Sequence, residues 1–151
     1  MSQFNFGYAF PKFKNKTKAG LNGSNNANSA HVDIDFPMFR LADVYLMLAE
    51  SSFRMGDQAT ALQYINSIRT RAYNTSAFNF SSLTLDDILD ERARELYWEG
   101  FRRIDLIRYN RYSEGTYLWP WKGGLPGGTA FDITKRILPL PSNQLAANPN
   151  L

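Results

Sequence analysis

Two amphipathic stretches separated by one Gly-Asp pair constrain this chain more than any other feature. Across residues 37–55, Arg40, Asp43, Met47, Glu50 and Arg54 recur at steps of three and four, while Leu41, Ala42, Val44, Tyr45, Leu46, Leu48, Ala49 and Phe53 fill most other positions. That is one narrow polar stripe on a helix. Pro37 suits the first helical position, where a missing N–H costs nothing. So thin a stripe predicts a helix packed on several sides, with Arg40 paired to Asp43 and Glu50 to Arg54, each pair contributing about 0.2–0.5 kcal/mol. Gly56 supplies the left-handed stop and Asp57 the next N-cap. From Gln58 to about Tyr73, Ala61, Leu62, Ile65, Ile68 and Ala72 share one face, with Gln63, Asn66, Ser67, Thr70 and Arg71 on the others. The two helices, over residues 37–73, must fold back as an antiparallel hairpin.

A third helix is expected over residues 84–110. Thr84-Leu85-Asp86-Asp87 resembles a capping box with two acids in the first turn. Leu85, Ile88, Leu89, Ala93, Leu96, Ile104 and Ile107 are placed inward. Gly100 interrupts the pattern, so either the helix kinks there or another element passes too close for a side chain. Beyond Tyr112, Pro120, Pro126, Pro139 and Pro141 forbid a central strand or a continuing helix. Ser142 can cap one short turn near the end.

Upstream, Phe4, Phe6, Tyr8 and Phe10 alternate with small or polar residues, the signature of a strand or extended arm. Lys12, Lys14, Lys16 and Lys18 continue the same parity and read as its solvated end. Residues 19–29 are small and polar without periodicity, which reads as a mobile loop. The expected fold is therefore mainly α. An arm and flexible loop occupy residues 1–36, a helical core 37–112, and an aromatic, Gly- and Pro-rich segment 113–151.

Composition removes several chemistries. The 151 residues contain no cysteine, so no disulfide, thiolate metal site or cysteine nucleophile is available, and the single histidine, His31, cannot form a multi-histidine site. Seventeen Lys and Arg against fourteen Asp and Glu give a net charge of +3, too mild to require nucleic acid. The four lysines of the arm do not change that. No apolar run approaches the roughly 20 residues needed to span a bilayer, and the first residues lack the basic and apolar regions of a secretory signal.

Glu91, Glu95 and Glu99 recur every four residues beside Asp90, a spacing that can hold metal ions or share a proton. The Glu-x-x-His element of such sites is absent, and Arg94, Arg102 and Arg103 stand within reach. Pairing of Asp90 or Glu91 with Arg94, and of Glu99 with Arg102 or Arg103, makes a structural ion-pair network the expected outcome, with no metal, cofactor or catalytic residue.

Eleven Phe, eight Tyr and three Trp form a large aromatic complement. Tyr45, Phe53, Phe101 and Phe39 are assigned to helix packing. Tyr117, Trp119 and Trp121 lie in a segment kept irregular by proline and glycine, and in an extended conformation they would share one side. Rings on such a loop suit the C–H faces of sugars, or else fill a hydrophobic gap beneath the loop.

The stretch Leu48-Ala49-Glu50 to Ile68-Arg69 resembles one tetratricopeptide unit, with small Ala49 and Ala61 at the crossing. A longer resemblance joins Phe39-Arg40-Leu41-Ala42-Asp43-Val44-Tyr45-Leu46-Met47-Leu48-Ala49-Glu50, Ile65-Asn66-Ser67-Ile68-Arg69-Thr70-Arg71-Ala72, Ile88-Leu89-Asp90-Glu91-Arg92-Ala93-Arg94-Glu95-Leu96 and Glu99-Gly100-Phe101-Arg102-Arg103-Ile104-Asp105-Leu106-Ile107-Arg108. Together with Leu138-Pro139-Leu140-Pro141 and the ending Asn148-Pro149-Asn150-Leu151, these motifs are similar to the C-terminal region of the SusD-like (RagB/SusD) nutrient-uptake proteins. The resemblance implies a helical fold with tetratricopeptide-like hairpins. It also implies a surface-exposed outer-membrane lipoprotein of Bacteroidetes that binds oligosaccharides or other nutrients, without being an enzyme, and works with a TonB-dependent, SusC-like transporter. Family chains are several times longer and carry a signal peptide and a lipidated cysteine upstream, so this sequence is expected to be the C-terminal part of one. The family motifs assign no ligand residue here. The glycan-binding expectation for Tyr117, Trp119 and Trp121 rests on loop chemistry, and the competing expectation is a docking scaffold for the transporter with no ligand site of its own.

Overall fold

The computed structural model describes residues 12–23 and 32–148. The aromatic alternation at Phe4–Phe10, most of the polar loop and His31 lie outside them. The chain divides into two units, residues 1–40 and 41–151.

In the first unit, part of the run expected to be a mobile loop makes a small turn. Thr17 N–H donates to Leu21 O at 2.8 Å and Gly23 N–H to Asn15 O at 2.9 Å, around an antiparallel bridge of Lys16 with Asn22. Phe13 and Phe36 stack at 5.8 Å. Lys12, Lys14, Lys16 and Lys18 are exposed.

The second unit is helical, as the sequence implies, with α1 Leu41–Arg54, α2 Gln58–Tyr73, α3 Leu85–Glu95, α4 Arg102–Arg108 and α5 Ser142–Ala147. Among the described residues there is no named strand, and no helix is long and apolar enough to cross a membrane. Helices α1 and α2 form the expected hairpin about Gly56, with Asp57 capping α2 by accepting from Thr60 N–H at 3.0 Å. The core joins Leu46 and Ala49 of α1, Ala61, Ile65 and Ile68 of α2, and Leu83, Ile88 and Leu96 beyond them. Phe53, Tyr45 and Phe101 pack on its margin.

Helix α1 departs from expectation in two ways. It starts at Leu41, not Pro37, and Phe39 is 88% exposed. The stripe is also turned partly inward. Asp43 and Glu50 are buried, while Met47 and Arg54 of the same stripe are exposed, as are Leu41, Val44 and Leu48 outside it. The cause is long-range pairing. Arg92 of α3 reaches Asp43 at 3.0 Å and Asp105 of α4 at 2.8 Å. Arg108 of α4 donates to Glu50 at 3.0 and 2.6 Å, and Arg54 adds a bond at 2.9 Å. The polar stripe is thus the contact face toward α3 and α4. Arg92 meets its two carboxylates at short distance but without hydrogen-bond angles, so attraction of the buried charges carries the contact.

The α2–α3 connection is tied down by side chains of α2. Asn66 clamps Phe80 through both its amide groups, at 2.8 and 2.9 Å, and Arg69 donates to Phe78 O at 2.7 Å while lying 4.1 Å over the Phe80 ring. Thr84 and Asp87 then form the expected capping box.

The expected third helix over residues 84–110 is two helices. Residues 96–101 break it, with Trp98 at φ 62° and Gly100 at φ 82°. A Cβ added at Gly100 would meet no atom within 4 Å. Of the two alternatives, the interruption of the helix holds and close approach does not, and the positive φ is what favours glycine at the break. The break resets the register, so Ile104, expected inward, is 57% exposed while Asp105 and Leu106 are buried. Ser142 begins α5, and Pro141 holds the cap position.

Two outcomes follow. Arg92→Ala leaves Asp43 and Asp105 buried without their counter-ion and is expected to lower unfolding stability by about 3–5 kcal/mol, read from urea denaturation. A loss under about 1 kcal/mol, the scale of an exposed pair, would contradict the assignment. The second concerns Glu50. Burial pushes its carboxyl up, but the hydrogen bonds from Arg108 and Arg54 outweigh that and hold it below its ordinary 4.5. A depressed folded-state value gives stability that is present above pH 4.5 and is lost as pH falls through the lower folded value. Acid titration of stability should therefore be flatter in Glu50→Gln than in the parent chain.

Candidate functional site

The segment after α4 is irregular in outline but closed on itself. Lys122 N–H donates to Trp119 O at 3.0 Å, Thr129 N–H to Lys122 O at 3.0 Å, and Gly128 N–H to Leu125 O at 2.9 Å. Gly128 is required where it stands. Its φ is 78° and a Cβ would lie 2.5 Å from the Trp119 carbonyl oxygen. Arg103 holds the far limb by donating to Lys135 O at 2.8 Å and Arg136 O at 3.2 Å. Arg136 in turn donates to Ser113 Oγ at 2.8 Å and to the Asn110 side chain.

Lys122 lies at the centre of this segment and is 1% exposed. Its Nζ donates to Tyr117 O at 2.9 Å and Glu114 O at 3.5 Å, and stands over the rings of Trp119 at 4.5 Å and Phe131 at 5.3 Å. Carbonyl oxygens and ring faces replace part of its water shell. Desolvation still holds the ammonium below the ordinary lysine range. Lys122 is not among the site residues expected from the sequence. Its place among Trp119, Trp121 and Phe131 was the available signal.

Beside this segment lies a cavity of about 360 Å³ lined by Arg102, Leu106, Tyr117 and Trp119. Trp119 packs edge to face against Tyr117 at 6.1 Å and Phe131 at 6.3 Å, which fixes its plane. Arg102 donates to Leu89 O at 3.0 Å and to the Tyr117 hydroxyl, and its guanidinium lies 5.6 Å over the Tyr117 ring. Two of the three rings singled out in the sequence thus share one cavity. Trp121 does not line it. Its left-handed backbone, φ 69°, turns the chain out of the extended conformation that would align the three, and the ring is 63% exposed.

The carboxylates singled out on α3 are distributed among arginines, in a pattern broader than the local one expected. Glu91 is buried and accepts from Arg94, at 2.8 Å, and from Arg69 of α2. Glu95 accepts from Arg71 of α2 at 2.7 Å. Asp90 lies 3.9 Å from Arg102 and is not paired with Arg94. Glu99 is buried, and the break at residues 96–101 carries Arg102 and Arg103 to the partners already named. Among the described residues no three His, Cys, Asp or Glu side chains gather as a metal site.

If the buried ammonium orders this segment, Lys122→Ala should increase protease cleavage between Gly123 and Gly128 while leaving the far-UV helical signal unchanged. Unaltered protease resistance would show that the backbone bonds suffice.

The model of the SusD family matches residues 1–151. Starch-binding protein SusD of Bacteroides thetaiotaomicron is 37% identical over 100% of this chain, which covers 26% of that protein. SusD-like protein P25 of Formosa agariphila is 37% identical over 76% of the chain and 22% of its own length. Among solved structures, surface glycan-binding protein A from Bacteroides thetaiotaomicron, in complex with laminarihexaose, superposes with a TM-score of 0.62 at 27% identity, over 87% of this chain and 25% of that one. The chain spans about a quarter of the length of the relatives it matches.

Proposed function

The chain belongs to the SusD family, and we propose on that basis that it contributes to glycan binding in an outer-membrane nutrient-uptake system, by stacking and hydrogen bonding, without covalent chemistry. The observation that carries the reading is the cavity walled by Tyr117 and Trp119 with Arg102 at its side. Aromatic faces receive the C–H faces of a pyranose, and planar donors beside them meet its hydroxyls. Similarity to a starch-binding protein and to a protein solved with laminarihexaose supports an oligosaccharide as the ligand class. Trp121 is an exposed ring close in sequence and a candidate for an adjoining sugar unit.

The reading extends to the setting. A surface lipoprotein at the outer membrane, delivering ligand to a TonB-dependent, SusC-like transporter, is the arrangement the family membership favours. A second reading, a docking region with no ligand site, draws on one observation: the exposed apolar residues Leu41, Val44, Met47 and Leu48 of α1, a face of the kind that packs against protein.

Isothermal titration against a panel of neutral and acidic oligosaccharides separates the two. The glycan reading expects heat from at least one sugar, and Trp119→Ala should weaken that binding by about tenfold, the scale of one aromatic contact. Identical heats for both proteins would remove Trp119 from the site, and no heat from any sugar would favour docking.

A further inference from the structure

Of the four residues lining the Trp119 cavity, Arg102 is the charged one. Lys122, behind Trp119, is buried with carbonyl oxygens and ring faces as its partners, and has no ion-pair partner among the described residues. Arg102, on the wall, has one carboxylate nearby. Asp90 lies 3.9 Å away, beyond hydrogen-bond distance, with its side chain 53% exposed to water. The Leu89 carbonyl and the Tyr117 hydroxyl each take one N–H of Arg102, and the remaining donors of its guanidinium are uncommitted. Glu114, whose carbonyl oxygen meets Lys122, turns its carboxylate 3.5 Å from Arg136. The cavity therefore has a half-exposed guanidinium with spare donors and a buried ammonium one ring away.

Resting on the glycan-binding reading, we propose that this cavity takes an acidic oligosaccharide, with a uronic acid ring against Tyr117 and Trp119 and its carboxylate on Arg102. A planar carboxylate matches the donor geometry of a guanidinium, and charge assistance strengthens each bond relative to a neutral hydroxyl. The Lys122 ammonium reinforces this from behind Trp119, because water screens a buried charge less than an exposed one. It also occupies one face of the indole.

The test compares three oligosaccharides of equal length by isothermal titration with the chain: a trimer of galacturonic acid, its methyl ester and maltotriose. The free acid should bind at least about tenfold more tightly than its ester, the scale of one hydrogen bond to a charged group. The gap should narrow in high salt and close in Arg102→Gln, while Arg102→Lys retains part of it. Equal affinity of acid and ester overturns the acidic preference and leaves glycan binding standing. Heat from none of the three, nor from a wider neutral panel, overturns both. Because acid and ester are compared on the unaltered chain, the result stands even where a variant fails to fold.

Discussion

Buried pairing of arginine with carboxylates on other helices is the constraint on which this structure depends. Arg92 stands between Asp43 of α1 and Asp105 of α4, Arg108 reaches from α4 to Glu50 of α1, and Arg69 reaches from α2 to Glu91 of α3. Each link joins two helices at one register. Net stability is not the main consequence, because desolvating both charges consumes much of their attraction. Position is. An apolar contact tolerates sliding, whereas a guanidinium displaced from its carboxylate leaves a buried charge uncompensated. The apolar core around Leu46, Ile65 and Ile88 provides the burial, and the arginines fix how α3 and α4 lie against the hairpin.

The same constraint explains what was legible in the sequence. The hairpin followed from local rules, since apolar period, the turn at Gly56 and the Asp57 cap act within a few residues. The capping box at Thr84 was legible for the same reason. The direction of α1 was not. Its stripe of Asp43 and Glu50 looks like a solvent face when read alone, and only Arg92 and Arg108, about fifty residues later in the chain, turn it inward. Local pairing rules found Glu50 with Arg54 and Glu91 with Arg94, but they cannot choose between a neighbour three residues away and an arginine on another helix. The break at residues 96–101 was flagged by Gly100, yet its consequence, the turning of Ile104 outward, needs the left-handed residues themselves.

The C-terminal segment was legible in composition and not in shape. Proline and glycine excluded regular structure and gathered Tyr117, Trp119 and Trp121 in sequence. Alternation predicts alignment only for extended backbone, and Trp121 lies in the left-handed region. What replaces regular structure is a polar centre. Lys122 gathers two carbonyl oxygens and two rings that no ladder of backbone bonds would hold. A lysine is suited to this because its flexible stem can deliver a compact charge into an irregular space, where a rigid fork would demand planar partners.

Arg102 joins the two systems. It begins α4, immediately after the break, and so its position follows from the register that Arg92 and Arg108 impose on that helix. Its guanidinium then spans from the Leu89 carbonyl of α3 to the Tyr117 hydroxyl of the loop. The cavity wall is therefore not a loop laid over an indifferent scaffold. One side is set by the ion-paired helices and the other by the loop closed around Lys122, and Arg102 touches both. A carboxylate–arginine lattice read from sequence as purely structural thus supplies the polar wall of the cavity, because the helix break sets Arg102 beside Asp90 of α3, at 3.9 Å, with its hydrogen bonds spent on the Leu89 carbonyl and the Tyr117 hydroxyl.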